Sequence, residues 1–106
     1  MKLLKAKFLI QLIDGAPQKF LEVEGYVDEK GRFGFHHTET KKWWVAADLS
    51  SGMLIFRAKT RKECTEFVEQ HQGKIVAAKG SELYHMALRN MVAYKKNLIE
   101  SEKSSD

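Results

Sequence analysis

The residues of this chain with the most chemical reach are basic and aromatic. Arg57, Lys59, Arg61 and Lys62 crowd one short stretch, and Lys41-Lys42 stand directly before Trp43-Trp44. Cations beside ring faces suit single-stranded nucleic acid, where lysine or arginine holds phosphates and a base stacks on the ring. Residue types that catalysis needs are present but poorly spaced. His36 and His37 are adjacent, which on a strand sends their rings apart, and no cysteine or carboxylate stands from them at a zinc-ligand spacing. Cys64 falls on the apolar face of an expected helix, the place of a small core residue rather than a nucleophile. His71 and His85 have no evident triad partner, while Glu22/Glu24 and Glu100/Glu102 read as solvated faces. The Met86/Met91 stripe reads as core, and no Gly-rich phosphate loop or dinucleotide fingerprint is present. The expectation is therefore a protein that binds rather than catalyses, with no metal and no cofactor.

The elements that must position these residues divide into a sheet and then helices. Ala6, Phe8, Ile10 and Leu12 alternate as one apolar strand face, ended by Gly15-Ala16-Pro17. Leu21, Val23 and Val27 repeat the pattern, "DEKG" (Asp28 to Gly31) supplies a turn, and Phe33 and Phe35 resume the alternation. After a polar link from His37 to Lys42, a strand from Trp43 to Asp48 and the "SSG" turn lead into Met53 to Phe56, a second hairpin. Thr60 and Glu63 fit a capping box, and Cys64, Phe67, Val68 and His71 mark one face of the helix it opens, with Gln72-Gly73 as its stop. "KIVAAK" (Lys74 to Lys79) is ambiguous between strand and linker. A longer helix follows Gly80-Ser81, with Leu83, Met86, Ala87, Asn90, Met91, Tyr94 and Leu98 as its stripe. The fold class is α+β: an antiparallel β-sheet of about five strands with two helices packed on one face. Residues 1–100 form a single domain, and 101–106 form a flexible polar tail that should fray.

Strand alternation has a consequence for the tryptophans. Trp43 and Trp44 must point to opposite faces, and Val45 and Ala47 lie on Trp43's side, so Trp43 is expected inward and Trp44 outward. An outward Trp44 could stack a base beside Lys41 and Lys42, or it could pack across the strand on Tyr26, Phe33 or a lysine stem. The cations Arg57, Lys59, Arg61 and Lys62 surround a strand end and a helix start, where they oppose the helix dipole; an anionic ligand would relieve that cost. The competing reading is a solvated corner offset by Glu63, Glu66 and Glu69.

Composition bounds the rest. With 106 residues the chain is one domain, burying roughly two-thirds of its unfolded surface. Hydrophobic residues at 43% and charged residues at 30% argue against wholesale disorder. The single Cys64 excludes an internal disulfide, and the lysines and glutamine that interrupt the first residues disfavour a signal peptide, so a reducing, cytoplasmic setting is expected. The net charge of +4 is uneven: residues 1–53 carry eight Lys/Arg against seven Asp/Glu, and residues 54–106 carry ten against seven. A basic surface raises affinity for phosphate backbones.

The stretch "WWVAADLSSGMLIFRAKTRKE", Trp43 to Glu63, resembles a pattern in small phage and plasmid accessory proteins of Gram-positive bacteria. Its parts are an aromatic-Val pair, an Asp, a small-Gly turn, a β segment, and Thr-Arg/Lys-Lys-Glu opening a helix. The resemblance implies a mobile-element accessory protein, a class that includes anti-CRISPR inhibitors; size and a β-rich front half are similar to some inhibitors of Cas9-type effectors. No functional residue carries over from that class. A mimic of duplex DNA would be strongly acidic, and this chain is basic, so inhibition would act through a protein surface or the guide RNA and disturb complex assembly. Two readings follow: an inhibitor of a host nuclease complex, or a small basic module binding RNA or DNA directly. Both use Lys41, Lys42, Trp44, Arg57, Lys59, Arg61 and Lys62.

Overall fold

The computed structural model describes residues 1–12 and 19–104. The expected stop at Gly15-Ala16-Pro17 lies outside the described residues, as do Ser105 and Asp106 at the end of the expected tail. Five strands, β1 (Leu3–Leu12), β2 (Lys19–Asp28), β3 (Phe33–His37), β4 (Trp44–Asp48) and β5 (Leu54–Ala58), form one antiparallel sheet in the order β1-β2-β3-β4-β5. Helices α1 (Arg61–Gln70), α2 (Gln72–Ala78) and α3 (Glu82–Ser104) follow. The α+β architecture with strands first matches the expectation; the helices number three among the described residues, not two.

Turn chemistry fixes the register. Asp28 Oδ1 accepts from the backbone N–H groups of Arg32 at 2.7 Å and Phe33 at 2.8 Å, and Gly31 takes a φ of 69° that a side chain would resist. Asp48 Oδ2 accepts from the Ser51 hydroxyl at 2.7 Å and the Ser51 N–H at 3.0 Å, which sets the turn into β5. Thr60 caps α1, its hydroxyl oxygen accepting from the Glu63 N–H at 3.1 Å, but the Glu63 carboxylate accepts from the Thr60 hydroxyl at 3.1 Å instead of reaching the cap N–H.

Two corrections concern the chain after α1. Gln72-Gly73 opens α2 rather than ending a helix, and 74–78 is helical, not strand or linker. Ile75 explains why: it packs against the core beneath α1, an apolar anchor at helical spacing from His71. Lys79, just past α2, reaches the buried Asp48 carboxylate at 3.5 Å. α3 continues through Ser101, into the stretch expected to fray.

Pairing partners share a face, so the rows of the sheet can be read across. Phe35, Ala46 and Phe56 form one row, and with Phe33, Ala58, Cys64 and Val68 they make the core beneath α1. The next row, His36, Val45 and Arg57, faces the other way. That second face is covered by the sheet itself. β2 pairs with β3 only at Tyr26 and Val27, and a Cβ at Gly25 would run into the Phe35 carbonyl, so the chain bends closely there. Beyond the bend the β1-β2 hairpin folds across β3 and β4: the Phe8 ring lies over Gly34 and meets His36 edge-on at 5.8 Å. The Gln11 N–H reaches the Gly52 carbonyl at 2.8 Å, closing the curl. α3 braces this end, with Tyr94 stacked on Phe20 at 4.3 Å and the Gln11 side chain donating to the Ala87 carbonyl at 2.9 Å.

Candidate binding surface

All seven expected binding residues gather at one end of the sheet, because register puts them there. His37 pairs with Trp44 and Trp44 with Ala58, so the β3-β4 turn, the end of β5 and the start of α1 meet. Lys41, at φ 59°, donates its N–H to the Thr38 carbonyl at 2.9 Å, and the Thr38 N–H closes on Trp43. This tight turn leaves Lys41 and Lys42 exposed at its tip.

The tryptophans are sided opposite to expectation. Trp44 packs against the core under α1, in the face of Ala46, and Trp43 lies with Arg57 on the other side. The reason is that both faces are buried: Val45 and Ala47 point into the curl and do not mark the helix side. Trp44 accordingly serves its neighbours. His37 lies 3.9 Å from its ring, Tyr26 6.3 Å, and Arg61 sits over both Trp44 at 5.8 Å and Tyr26 at 4.4 Å. The packing alternative with Tyr26 is what the geometry adopts, and the guanidinium occupies ring surface that a base would need.

Charge balance separates the two readings of the corner. Of the glutamates that could offset it, Glu63 is engaged with Thr60, Glu66 pairs with Lys62 at 4.0 Å, and Glu69 pairs with the Met1 amine at 3.2 Å. Among the described residues, Lys41, Lys42, Arg57, Lys59 and Arg61 form no ion pair. Arg57 lies over Trp43 at 5.0 Å and Arg61 over Tyr26 at 4.4 Å, so each guanidinium rests against a ring on a residue that is itself exposed. A planar donor fork restrained in this way suits a carboxylate or phosphate. Tyr26 and His37 complete the cluster without having been among the expected site residues; the hairpin register that aligns them with Trp44 was the missing information.

Cys64 and His71 are engaged within the fold. Cys64 is fully buried, burial pushes its thiol pKa up, and its Sγ donates to the Trp44 carbonyl at 3.4 Å. His71 is stacked on Phe67 at 4.1 Å, with Nδ1 on the Phe67 carbonyl at 2.9 Å. Among the described residues no three His, Cys, Asp or Glu stand together as a metal site would require, and no helix is long and apolar enough to cross a membrane. Compared with family models, curated proteins and solved structures, the chain finds no match.

Proposed function

We propose that this is a non-enzymatic interaction protein that binds an anionic face of a host RNA-guided nuclease complex and disturbs its assembly, acting in the cytoplasm as a mobile-element inhibitor of a Cas9-type effector. The reading rests on the resemblance of Trp43–Glu63 and on one observation at the corner: five exposed cations from three elements stand at one end of the sheet, Arg57 on one face and Arg61 on the other, with no ion-paired carboxylate among the described residues. A folded protein that concentrates like charge raises its own energy there, and a complementary acidic or phosphate surface offsets it. The second reading, a small module binding RNA or DNA directly, draws on the same cations. With Trp44 covered by Arg61, direct binding would follow the phosphate backbone rather than stack bases, and would show little sequence preference.

The test is target cleavage by a purified Cas9–guide complex with the protein added before or after guide loading, beside gel shifts with the guide and with unrelated RNA at two salt concentrations. Inhibition confined to addition before loading supports interference with assembly. Binding of any RNA with a steep salt dependence and no effect on cleavage selects the direct nucleic-acid reading. Neither inhibition nor RNA binding would reject both.

A further inference from the structure

The curl of the β1-β2 hairpin over the sheet leaves a cleft of about 580 Å³ between the two layers, and the proposed function makes no use of it. That volume lies within the range of small-molecule sites, roughly 300–1,000 Å³. Ile10, Leu21, Val23, Val45 and Ala47 give it an apolar wall, the β3-β4 turn gives it a polar rim, and among its polar residues two of different character stand on its sheet side.

The first is His36, which is 5% exposed and lines the cleft. Its Nδ1 contacts the His37 carbonyl at 2.7 Å; since a carbonyl only accepts, Nδ1 carries the proton. Burial lowers the His36 pKa and outweighs the bond to the His37 carbonyl, which acts the other way, so the ring is neutral and Nε2 is a bare lone pair. That Nε2 is buried with no hydrogen-bond partner among the described residues. Buried acceptors without donors are uncommon and costly, and a ligand N–H or O–H that displaces the side chains covering Nε2 would satisfy this one.

The second is Arg57, a permanent cation lining the same cleft, its guanidinium held over Trp43. His36 pairs with Val45 and Val45 with Arg57, so the acceptor and the cation flank an apolar strip on one face, their backbones two strand spacings or about 10 Å apart. We propose that this cleft binds a small amphipathic organic acid: a planar apolar body over Val45 and Ala47, an N–H or O–H donor to His36 Nε2, and an anionic group on Arg57. Glu22 and Glu39 also line the cleft, so a single negative charge directed at Arg57 is favoured over a polyanion.

Two fluorescent probes share this body and differ in the anion. 6-(p-Toluidino)naphthalene-2-sulfonate has the fused ring, the N–H and, at the opposite end of the ring system, a sulfonate; N-(p-tolyl)-2-naphthylamine lacks the sulfonate. The sulfonate probe is expected to bind about tenfold tighter, the scale of a charge-assisted contact. Arg57→Gln, at an exposed position, should abolish that preference without weakening the neutral probe more than about twofold. His36→Phe keeps the ring volume and should weaken both probes about fivefold, the scale of one neutral hydrogen bond. Methyl NMR of the native chain should place the shifts at Ile10, Leu21, Val23, Val45 and Ala47. The proposal is overturned if neither probe binds the native chain, if the sulfonate preference survives Arg57→Gln, or if the shifts centre on Ile55, Ile75 and Leu83, which line the separate cleft beside α2.

Discussion

Gln11→Met should be among the most damaging conservative substitutions in this protein. Gln11 is 4% exposed and joins three parts of the fold: its Nε2 donates to the Ser51 carbonyl and to the Ala87 carbonyl, each at 2.9 Å, and its Oε1 faces Asn90 Nδ2 at 3.4 Å. Ser51 and Ala87 are both fully buried, so water does not replace the lost donor. Two neutral hydrogen bonds contribute about 1 kcal/mol each, and leaving the Ser51 carbonyl bare costs about 1–3 kcal/mol more. Methionine refills the volume and offsets part of this, leaving a net loss of about 2–4 kcal/mol. At this chain length that corresponds to a fall in midpoint of roughly 10–20 °C. Gln11→Glu should be worse at neutral pH, because it sets a carboxylate against two carbonyl oxygens, and should improve on acidification as the carboxyl protonates. Thermal and urea unfolding of both variants, with amide exchange at Gln11 and Gly52, make the comparison. If Gln11→Met unfolds within 0.5 kcal/mol (about the scatter of an ordinary surface change) of the native chain, Gln11 does not hold the curl closed.

Three further outcomes are expected. His36 has its pKa lowered in the fold while the unfolded chain takes up its proton near 6.5, so its contribution to stability is complete above that pH and is lost as pH falls from there through the lowered folded pKa; His36→Phe should flatten that part of a midpoint-against-pH curve, and an unchanged slope would contradict a buried neutral ring. Trp44→Ala should cost about 2–3 kcal/mol, less than a fully buried ring because Trp44 is only half-buried, whereas Trp43→Ala should cost about 1 kcal/mol; the reverse order in urea unfolding would reject the facing described above. Thr60→Ala should destabilise by about 0.5–2 kcal/mol through loss of the α1 cap, and an unmoved denaturation midpoint would show that the cap is dispensable.

How far the sequence spoke depended on the range of the interaction. Period-2 alternation, the Asp28 turn and the Thr60 cap are local, and each element they imply is present. The facing of Trp43 and Trp44 was misread because alternation distinguishes two faces without saying which is covered, and here the hairpin covers one and α1 the other. Gln11 read as a polar interruption of an apolar run, since its partners Ser51 and Ala87 are remote in sequence. His36 was legible only as half of an adjacent pair; its unpartnered nitrogen is a product of the curl. The cationic corner was visible as composition, but whether Glu63, Glu66 and Glu69 neutralise it was a question of side-chain pairing.

The central claim is that the cationic corner is a binding surface, and the most direct measurement is replacement by Glu of Arg57, Lys59 and Arg61, which form no ion pair among the described residues, together with Lys62, whose pair with Glu66 is an exposed one. None of the four is buried, so unfolding should shift little beyond the loss of the Arg61 and Arg57 ring contacts, about 1 kcal/mol each at exposed sites. Whichever of Cas9–guide inhibition and RNA binding the native chain shows, measured on protein verified as folded, should fall by more than about a hundredfold, the scale expected when four favourable charges become four unfavourable ones. A folded variant that inhibits and binds as the native chain does would show the corner to be a solvated helix start and would contradict the account.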